Sequence, residues 1–504
     1  MTEGRDSAHF FRATLLGETG DRVTDGARER WTVALVLAAG FVYRLLFLLI
    51  PLSLDDDTTA YTELARNWFQ HGVYGFLNGS AIEPSLVRLP GYPLFLGAVF
   101  SVFGWSHAHA ALVVQSLIDV AGCWLLWDCA RREVSRRAAW AVLMLAVFCP
   151  FTAAYAVTGL TECLSIFCVT LAMWALARLA RATREGKNPL GSLLALSAAL
   201  GYGMLLRPDG VLLTAAFCAG LLWYTRRAVG AGRAVRLAVV AGLLAVLPLI
   251  PWTIRNYRTF HVIQPLAPRY VNNPGEFVPA GFFRWMRTWS VNFVDAGTVF
   301  WNLNGEIDVE DVPARACSGE SQCRETQALI EEHNRDGAVT PELDAQFAAL
   351  AAERIHERPL NYYIVLPVCR VANMWLWPRT ERFPLNLWWW VVEDHPRDSA
   401  IAIGLGLVNL GYVALAIVGF ARRRVPLKAA LLAYIALRCV LLATMENPEQ
   451  RYTMMAFPML FLAGGCALAG QRRGQENCGA GESRISGSFA GGHDGRRVAC
   501  RRGR

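Results

Sequence analysis

Charge is scarce in this chain. Only 18% of its 504 residues are Asp, Glu, Lys or Arg, while 54% are hydrophobic. A soluble protein can reach that apolar fraction, but not with blocks of membrane-spanning length recurring along the chain, so the pattern argues against a soluble α/β domain. Metal-type cysteine spacing is also missing. Of thirteen Cys, most (Cys123, Cys129, Cys149, Cys163, Cys168, Cys218, Cys369, Cys439, Cys466) lie in or near apolar runs and read as small hydrophobes. No internal repeat is visible, whereas transporters are often built from repeated halves. The first apolar run lacks a small-residue cleavage site and is too long for a signal h-region, so it reads as an uncleaved anchor. The net charge of +8 suits loops and tails facing anionic lipid. Nucleic acid is not expected as a partner, because the Arg clusters lie between apolar segments.

What is present is a polytopic, all-α integral membrane pattern of about 10–12 spans. Residues 1–31 are polar and read as a cytoplasmic tail, with Arg22, Arg28 and Arg30 before a first span at 32–53. By the positive-inside rule that end faces the cytoplasm. Residues 54–106 then form a first outer loop with interfacial helices. Further spans are expected near 107–128, 138–154, 160–178, 190–206, 209–224 and 237–254, with Arg131–Arg137, Arg178–Lys187 and Arg226–Arg236 inside. Residues 255–359 form a large outer loop. Within it, Glu325–Arg358 carries Leu329, Ile330, Phe347, Leu350 and Ile355 at helical spacing, enough for one or two amphipathic helices at the membrane face. Spans resume at 400–420, 427–444 and 453–470. Parity between 360 and 400 stays open: if 360–377 crosses, then 383–396 or 91–105 must cross too. The tail 471–504 is Gly- and Arg-rich and reads as disordered. Cys317 and Cys323 flank a polar turn and form a local disulfide if that loop is exported.

Under this topology four polar groups converge on the outer face. They are Asp55-Asp56-Asp57 with Tyr61 and Glu63; Arg88-Leu89-Pro90-Gly91-Tyr92-Pro93; Arg207-Pro208-Asp209-Gly210 beside Thr161-Glu162; and Glu446–Tyr452. Carboxylates at a membrane edge are costly unless solvated, paired or used. Acids and arginines gathered at one boundary suit transfer from a lipid-linked phosphate donor. A carboxylate deprotonates an acceptor hydroxyl, and arginines neutralise the charge on a departing phosphate. Each group also has a plainer reading. The acids cap a helix exit, Arg88 snorkels to headgroups, Arg207 ends a helix before Pro208, and Glu449–Arg451 is a surface pair. Arg44, inside the first span, is expected to be a buried structural partner. The tryptophans Trp375, Trp377 and Trp388–Trp390 read as an interfacial belt, and His107 and His109 as a polar loop.

The segment Asp57-Thr58-Thr59-Ala60-Tyr61-Thr62-Glu63-Leu64-Ala65 resembles the first-loop motif of the C-type, polytopic glycosyltransferases. That group includes the protein O-mannosyltransferases and the aminoarabinose transferases of lipid A. His71–Phe76, Arg88–Leu94 with Phe103-Gly104, Leu206-Arg207-Pro208, Pro251–Tyr257 and Glu449-Gln450-Arg451-Tyr452 resemble later blocks in the same order, over about residues 32–470. The resemblance implies an inverting transferase using a sugar on a polyprenyl or dolichyl phosphate, in a bacterial inner membrane with its active site on the non-cytoplasmic side. Asp57 is the implied base, with Asp56 or Asp55 as a second acid. Arg88 and Arg451 would hold phosphate or balance the acid, and Arg207 is a further substrate-binding candidate. Glu162 and Glu449 would orient sugar or acceptor, with Tyr61 and Tyr452 as further substrate-binding candidates. A monophosphate can leave with arginine help, so no metal or other cofactor is required. The acceptor is left open among protein, lipid and glycan. The alternatives are a transporter or flippase without chemistry, and a ligase or polymerase using a lipid diphosphate donor.

Overall fold

The computed structural model describes residues 27–50 and 56–470; residues 1–26 of the expected N-terminal tail, the expected tail 471–504 and Asp55 lie outside the described residues, while 27–31 belong to the first helix. Among the described residues the regular structure is helical apart from one two-stranded hairpin. A first helix, α1, runs Ala27–Leu49. After it come α2 (Asp56–His71), the hairpin β1 (Gly75–Asn78) and β2 (Ala81–Pro84), α3 (Gly91–Phe103) and α4 (Ala108–Glu133). The bundle continues with α5 (Arg136–Val147), α6 (Pro150–Ala156), α7 (Glu162–Arg184), α8 (Leu190–Leu206), α9 (Gly210–Val229), α10 (Ala231–Val246) and α11 (Leu249–Phe260). The large polar segment supplies α12 (Ala280–Arg287), α13 (Phe293–Asp295), α14 (Glu320–Asp336) and α15 (Pro341–Glu357). The chain then returns to the bundle through α16 (Leu366–Leu376), α17 (Pro396–Arg422), α18 (Lys428–Leu442) and α19 (Phe457–Ala469).

Among the described residues five helices are long and apolar enough to cross a membrane, and seven if the bent pairs α5–α6 and α10–α11 each count as one span. The expected ten to twelve also counted shorter apolar helices, of which α3 and α8 are two. Within the open stretch between 360 and 400, residues 378–395 form turns and no helix. Hydrocarbon offers no partners for backbone groups, so such a segment has to lie against protein or water.

The core is built around α7, which packs on α4, α8 and α9 while α19 packs on α5 and α17. Arg44 is fully buried in α1, with its Nε 2.6 Å from Asp119 Oδ2 of α4 and its guanidinium on the carbonyls of Gly40 and Val147. It is the structural partner expected. The large polar segment has a core of its own, where Phe282, Trp285, Trp289, Leu329, Ile330 and Phe347 join α12, α14 and α15. The apolar positions of Glu325–Arg358 are buried as their spacing predicts. The pattern splits into two helices because Gly337 takes a left-handed conformation (φ 73°) at the end of α14, and Thr340 then caps α15 ahead of Pro341. Cys317 and Cys323 form the disulfide.

Charges sort to the two ends of α7. At one end Glu133 pairs with Arg181 (2.9 Å) and Glu29 with Arg131 and Arg136 (2.9 and 3.0 Å). At the other end stands Glu162, the first residue of α7. Twenty-three helical residues span about 34 Å, roughly the thickness of a hydrocarbon core.

Candidate active site

Five helix ends and one turn meet around Glu162's end of α7. Asp57 lies in the first turn of α2, where the helix dipole favours a carboxylate. Arg88 sits just before α3, Arg207 ends α8, and Glu449-Gln450-Arg451-Tyr452 leads into α19. Two glycines permit close packing here, Gly91 against backbone and Gly159 against a side chain. A Cβ on Gly91 would meet the Leu205 carbonyl oxygen at 2.6 Å, and one on Gly159 would meet Thr58 Cγ2 at 2.5 Å. The second contact seats the start of α2 on the loop before α7. Gly159→Ala is therefore expected to displace Asp57 and lower turnover by up to about 10²-fold, as misplacements near 1 Å do. Adding Thr58→Ala removes the clashing methyl and should recover part of the loss; equal activity of wild type and both variants would contradict this packing.

Arg88 Nη2 lies 2.5 Å from Asp57 Oδ1, and Arg451 Nη1 lies 3.5 Å from Asp57 Oδ2. Arg451 also reaches Glu449 at 2.5 Å, and the Tyr452 hydroxyl donates to Glu449 Oε1 at 2.7 Å. These residues line a cavity of about 750 Å³, within the range of small-ligand sites. Its polar lining is joined by Tyr155, Arg269, Glu381, Arg382 and Glu446, and its apolar lining by Phe293, Phe300, Trp301, Phe383, Leu385 and Leu387.

Arg207, Glu162 and Tyr61 do not line this cavity, but they pack beside residues that do. Arg207 Nη1 bonds Glu162 at 2.9 Å, its Nε faces Asp209 at 3.3 Å, and its guanidinium lies 5.6 Å from the Tyr452 ring centroid. Glu162 is buried and points at Arg207. Tyr61 underlies Arg88 at 6.0 Å and packs edge-on against Tyr92. Asp56 opens α2, but its side chain lies outside the described residues. Trp377, Trp389 and Trp390 pack edge-on against one another, with Trp390 still partly exposed.

Residues that sequence reasoning did not place hold the wall in position. Arg255 of α11 donates to the carbonyls of Ser85 (2.7 Å) and Tyr74 (2.6 Å), and Tyr74 in turn donates to the Arg88 carbonyl at 3.0 Å. Arg438 bonds Asp209 at 2.8 Å and the Tyr452 carbonyl at 2.7 Å, while Arg379 donates to the Gln450 carbonyl at 2.8 Å. Arg269, from the large polar segment, pairs with Glu446 at 3.0 Å. The charge cluster Arg379-Thr380-Glu381-Arg382 was a visible cue for this wall. Tyr155, a single aromatic inside an apolar run, gave none. Among the described residues no three His, Cys, Asp or Glu side chains are grouped to hold a metal ion.

The two acids that share Arg451 are pushed apart. Burial drives the Asp57 carboxyl upward, but the Arg88 and Arg451 charges outweigh it and hold the group below the usual aspartate range. At Glu449 burial dominates over Arg451 and raises the carboxyl. Asp57 is thus the acid kept ionised. A depressed folded-state pKa adds stability above the unfolded value, and that stability is lost as pH falls through the folded value. The difference in melting temperature between wild type and Asp57→Asn should therefore persist from neutral pH down to about pH 3.9, the ordinary aspartate value, and change only below it. A difference already lost near pH 5 would contradict the pairing.

Residues 84–252 match the family model described as dolichyl-phosphate-mannose-protein mannosyltransferase. The match takes in Arg88, Glu162 and Arg207, but not Asp57 or the turn before α19. No curated protein sequence matches the chain. Among solved structures the chain is similar to ArnT from Cupriavidus metallidurans bound to undecaprenyl phosphate, at 16% identity and a TM-score of 0.38, over 87% of this chain and 77% of that one. It is also similar to the archaeal oligosaccharyltransferase AglB from Archaeoglobus fulgidus, in complex with an inhibitory peptide and a dolichol-phosphate. That likeness has 12% identity and a TM-score of 0.47, over 87% of this chain and 50% of AglB. The family model and the helical membrane fold bear out the resemblance to C-type polytopic glycosyltransferases read from the sequence.

Proposed function

We propose that this integral membrane protein moves a sugar, with inversion, from a polyprenyl-phosphate donor to an acceptor hydroxyl. The observation that carries the reading is Asp57 held between Arg88 and Arg451 on a cavity lined partly by charge and partly by aromatic and aliphatic side chains. The phosphate sits with the arginines, the sugar fills the cavity, and the isoprenoid stays in lipid. Asp57 takes the proton of the acceptor hydroxyl, and the acceptor oxygen attacks the anomeric carbon from the face away from phosphate. The bond from that carbon to the phosphate oxygen breaks, and the lipid phosphate leaves with the electron pair, its charge met by guanidinium groups.

In the unliganded site both arginines face Asp57, which makes it a weak base. An arriving phosphate competes for them and brings negative charge of its own, so the carboxylate becomes more basic when substrate is present. The distribution of charge along α7 supports a site on the non-cytoplasmic side of a plasma membrane, since the Arg-rich loops mark the opposite end as internal. Polar residues gathered at one end also differ from the midplane sites of transporters.

The reading is tested in membranes supplied with undecaprenyl phosphate carrying a radiolabelled sugar. Label should leave the lipid fraction and appear covalently on an endogenous acceptor in an Asp57-dependent way. Movement of the intact lipid or of solute across proteoliposomes, with no covalent product, would replace the enzyme with a transporter. Label released only from a diphosphate-linked donor would favour a ligase or polymerase.

A further inference from the structure

Residues 380–387 line the cavity without a break, from Thr380 through Glu381 and Arg382 to Leu387. Most carboxylates on the cavity are already committed. Asp57 faces Arg88 and Arg451, Glu449 holds Arg451 and Tyr452, and Glu446 pairs with Arg269. Glu381 differs. Its Oε1 accepts from the buried Tyr155 hydroxyl at 3.2 Å, while its Oε2 is shielded from solvent and accepts no hydrogen bond. A buried carboxylate oxygen without a donor is costly and rarely left so. Burial also drives the Glu381 carboxyl upward, a strain that an incoming donor would relieve.

The chemistry of that oxygen selects its ligand. A carboxylate accepts, so it cannot hold a phosphate, which is acceptor-rich and repelled by like charge. The phosphate belongs with Arg88 and Arg451, and the acceptor hydroxyl with Asp57. What remains within the cavity is the transferred sugar, whose ring hydroxyls are donors. We propose that Glu381, anchored by Tyr155, determines sugar specificity: with the donor bound, rotation of its carboxylate turns the unpartnered Oε2 to the cavity, where it accepts a hydrogen bond from a hydroxyl of the donor sugar. This deepens the transferase reading and rests on it.

The test uses the purified full-length protein in nanodiscs, with binding followed by calorimetry. The probes are undecaprenyl phosphate alone and the same lipid carrying mannose, glucose, galactose or a pentose. The expected result is that one sugar lipid binds wild type more tightly than the bare lipid phosphate. Glu381→Ala should remove about tenfold of that preference, the effect of one hydrogen bond to a charged group, and leave bare lipid phosphate binding unchanged. Glu381→Gln, which keeps an accepting oxygen, should retain part of the preference, and its melting temperature checks folding. Unaltered sugar-lipid binding by Glu381→Ala would overturn the proposal, as would an equal loss of bare lipid phosphate binding. If wild type binds bare lipid phosphate but prefers no sugar lipid, only the role of Glu381 falls. If it binds no lipid phosphate, the transferase reading falls with it.

Discussion

Asp57→Asn will lower sugar transfer by about 10²–10⁴-fold, the usual contribution of a positioned general base, while leaving donor binding intact or tighter. The second half of that outcome sets the base apart from an architectural acid. In the resting site Arg88 and Arg451 both face the carboxylate. An amide no longer competes with phosphate for them, so the variant should hold undecaprenyl phosphate at least as well as wild type. Arg88→Ala should do the reverse. It removes a guanidinium that meets the leaving phosphate, so it weakens donor binding and also slows transfer, by about 10²–10³-fold if it acts as an oxyanion-type stabiliser. Transfer retained by Asp57→Asn at normal expression would remove the base assignment. Loss of lipid phosphate binding in Asp57→Asn would show that the carboxylate builds the site and does not work in it.

Arg207→Met carries the largest expected cost to stability, about 3–5 kcal/mol, the range for removing one partner of a buried ion pair. Arg207 is the cation hydrogen-bonded to Glu162, whose side chain is only 2% exposed, while Asp209 keeps a second cation in Arg438. Methionine preserves much of the stem volume, so the cost comes from a carboxylate stranded where water is sparse. Adding Glu162→Gln removes the stranded charge, and the double variant should be more stable than Arg207→Met alone. Such non-additivity is the mark of a direct pair. The melting temperature in nanodiscs reads the effect. If Glu162 instead contacts sugar or acceptor directly, Arg207→Met will cut activity with the melting temperature unmoved.

The residues legible from sequence are those whose cost made them conspicuous. Asp57, Arg88 and Arg451 are charges at the ends of apolar runs, where a bare charge is expensive, and the structure brings the three together. Arg44 stood out for the same reason inside the first span, and its partner proved to be Asp119. The periodic apolar positions between Glu325 and Arg358 announced two helices through the ordinary arithmetic of an amphipathic face. Glu162 and Arg207 were equally visible as charges, but sequence could not say which way they point. The fold turns them toward each other, and neither lines the cavity.

Other features left weak local traces. The strands Gly75–Asn78 and Ala81–Pro84 are four residues each and lack a clean alternation, so the mark of the hairpin is its two-residue turn, Gly79-Ser80, with Gly79 at φ 62°. Tyr155 is one aromatic among apolar neighbours, and its role depends on meeting Glu381 across 226 residues of chain. Within residues 378–395 the charges Arg379, Glu381 and Arg382 are visible in the sequence, but the neighbouring tryptophans read equally well as an interfacial belt, and only the fold shows that Glu381 and Arg382 line the cavity. The number of spans was the least legible quantity. Helices such as α3 and α8 are apolar throughout yet shorter than a straight crossing, and only packing decides how such helices sit.

The most direct test is a cryo-electron microscopy map of the full-length protein with undecaprenyl phosphate. Phosphate density should lie within hydrogen-bonding reach of the Arg88 and Arg451 guanidinium groups, beside Asp57, with the isoprenoid running from the cavity toward lipid. Phosphate density at the opposite, Arg131–Arg184 end of α7, or a lipid-filled site out of reach of Asp57, would contradict the account.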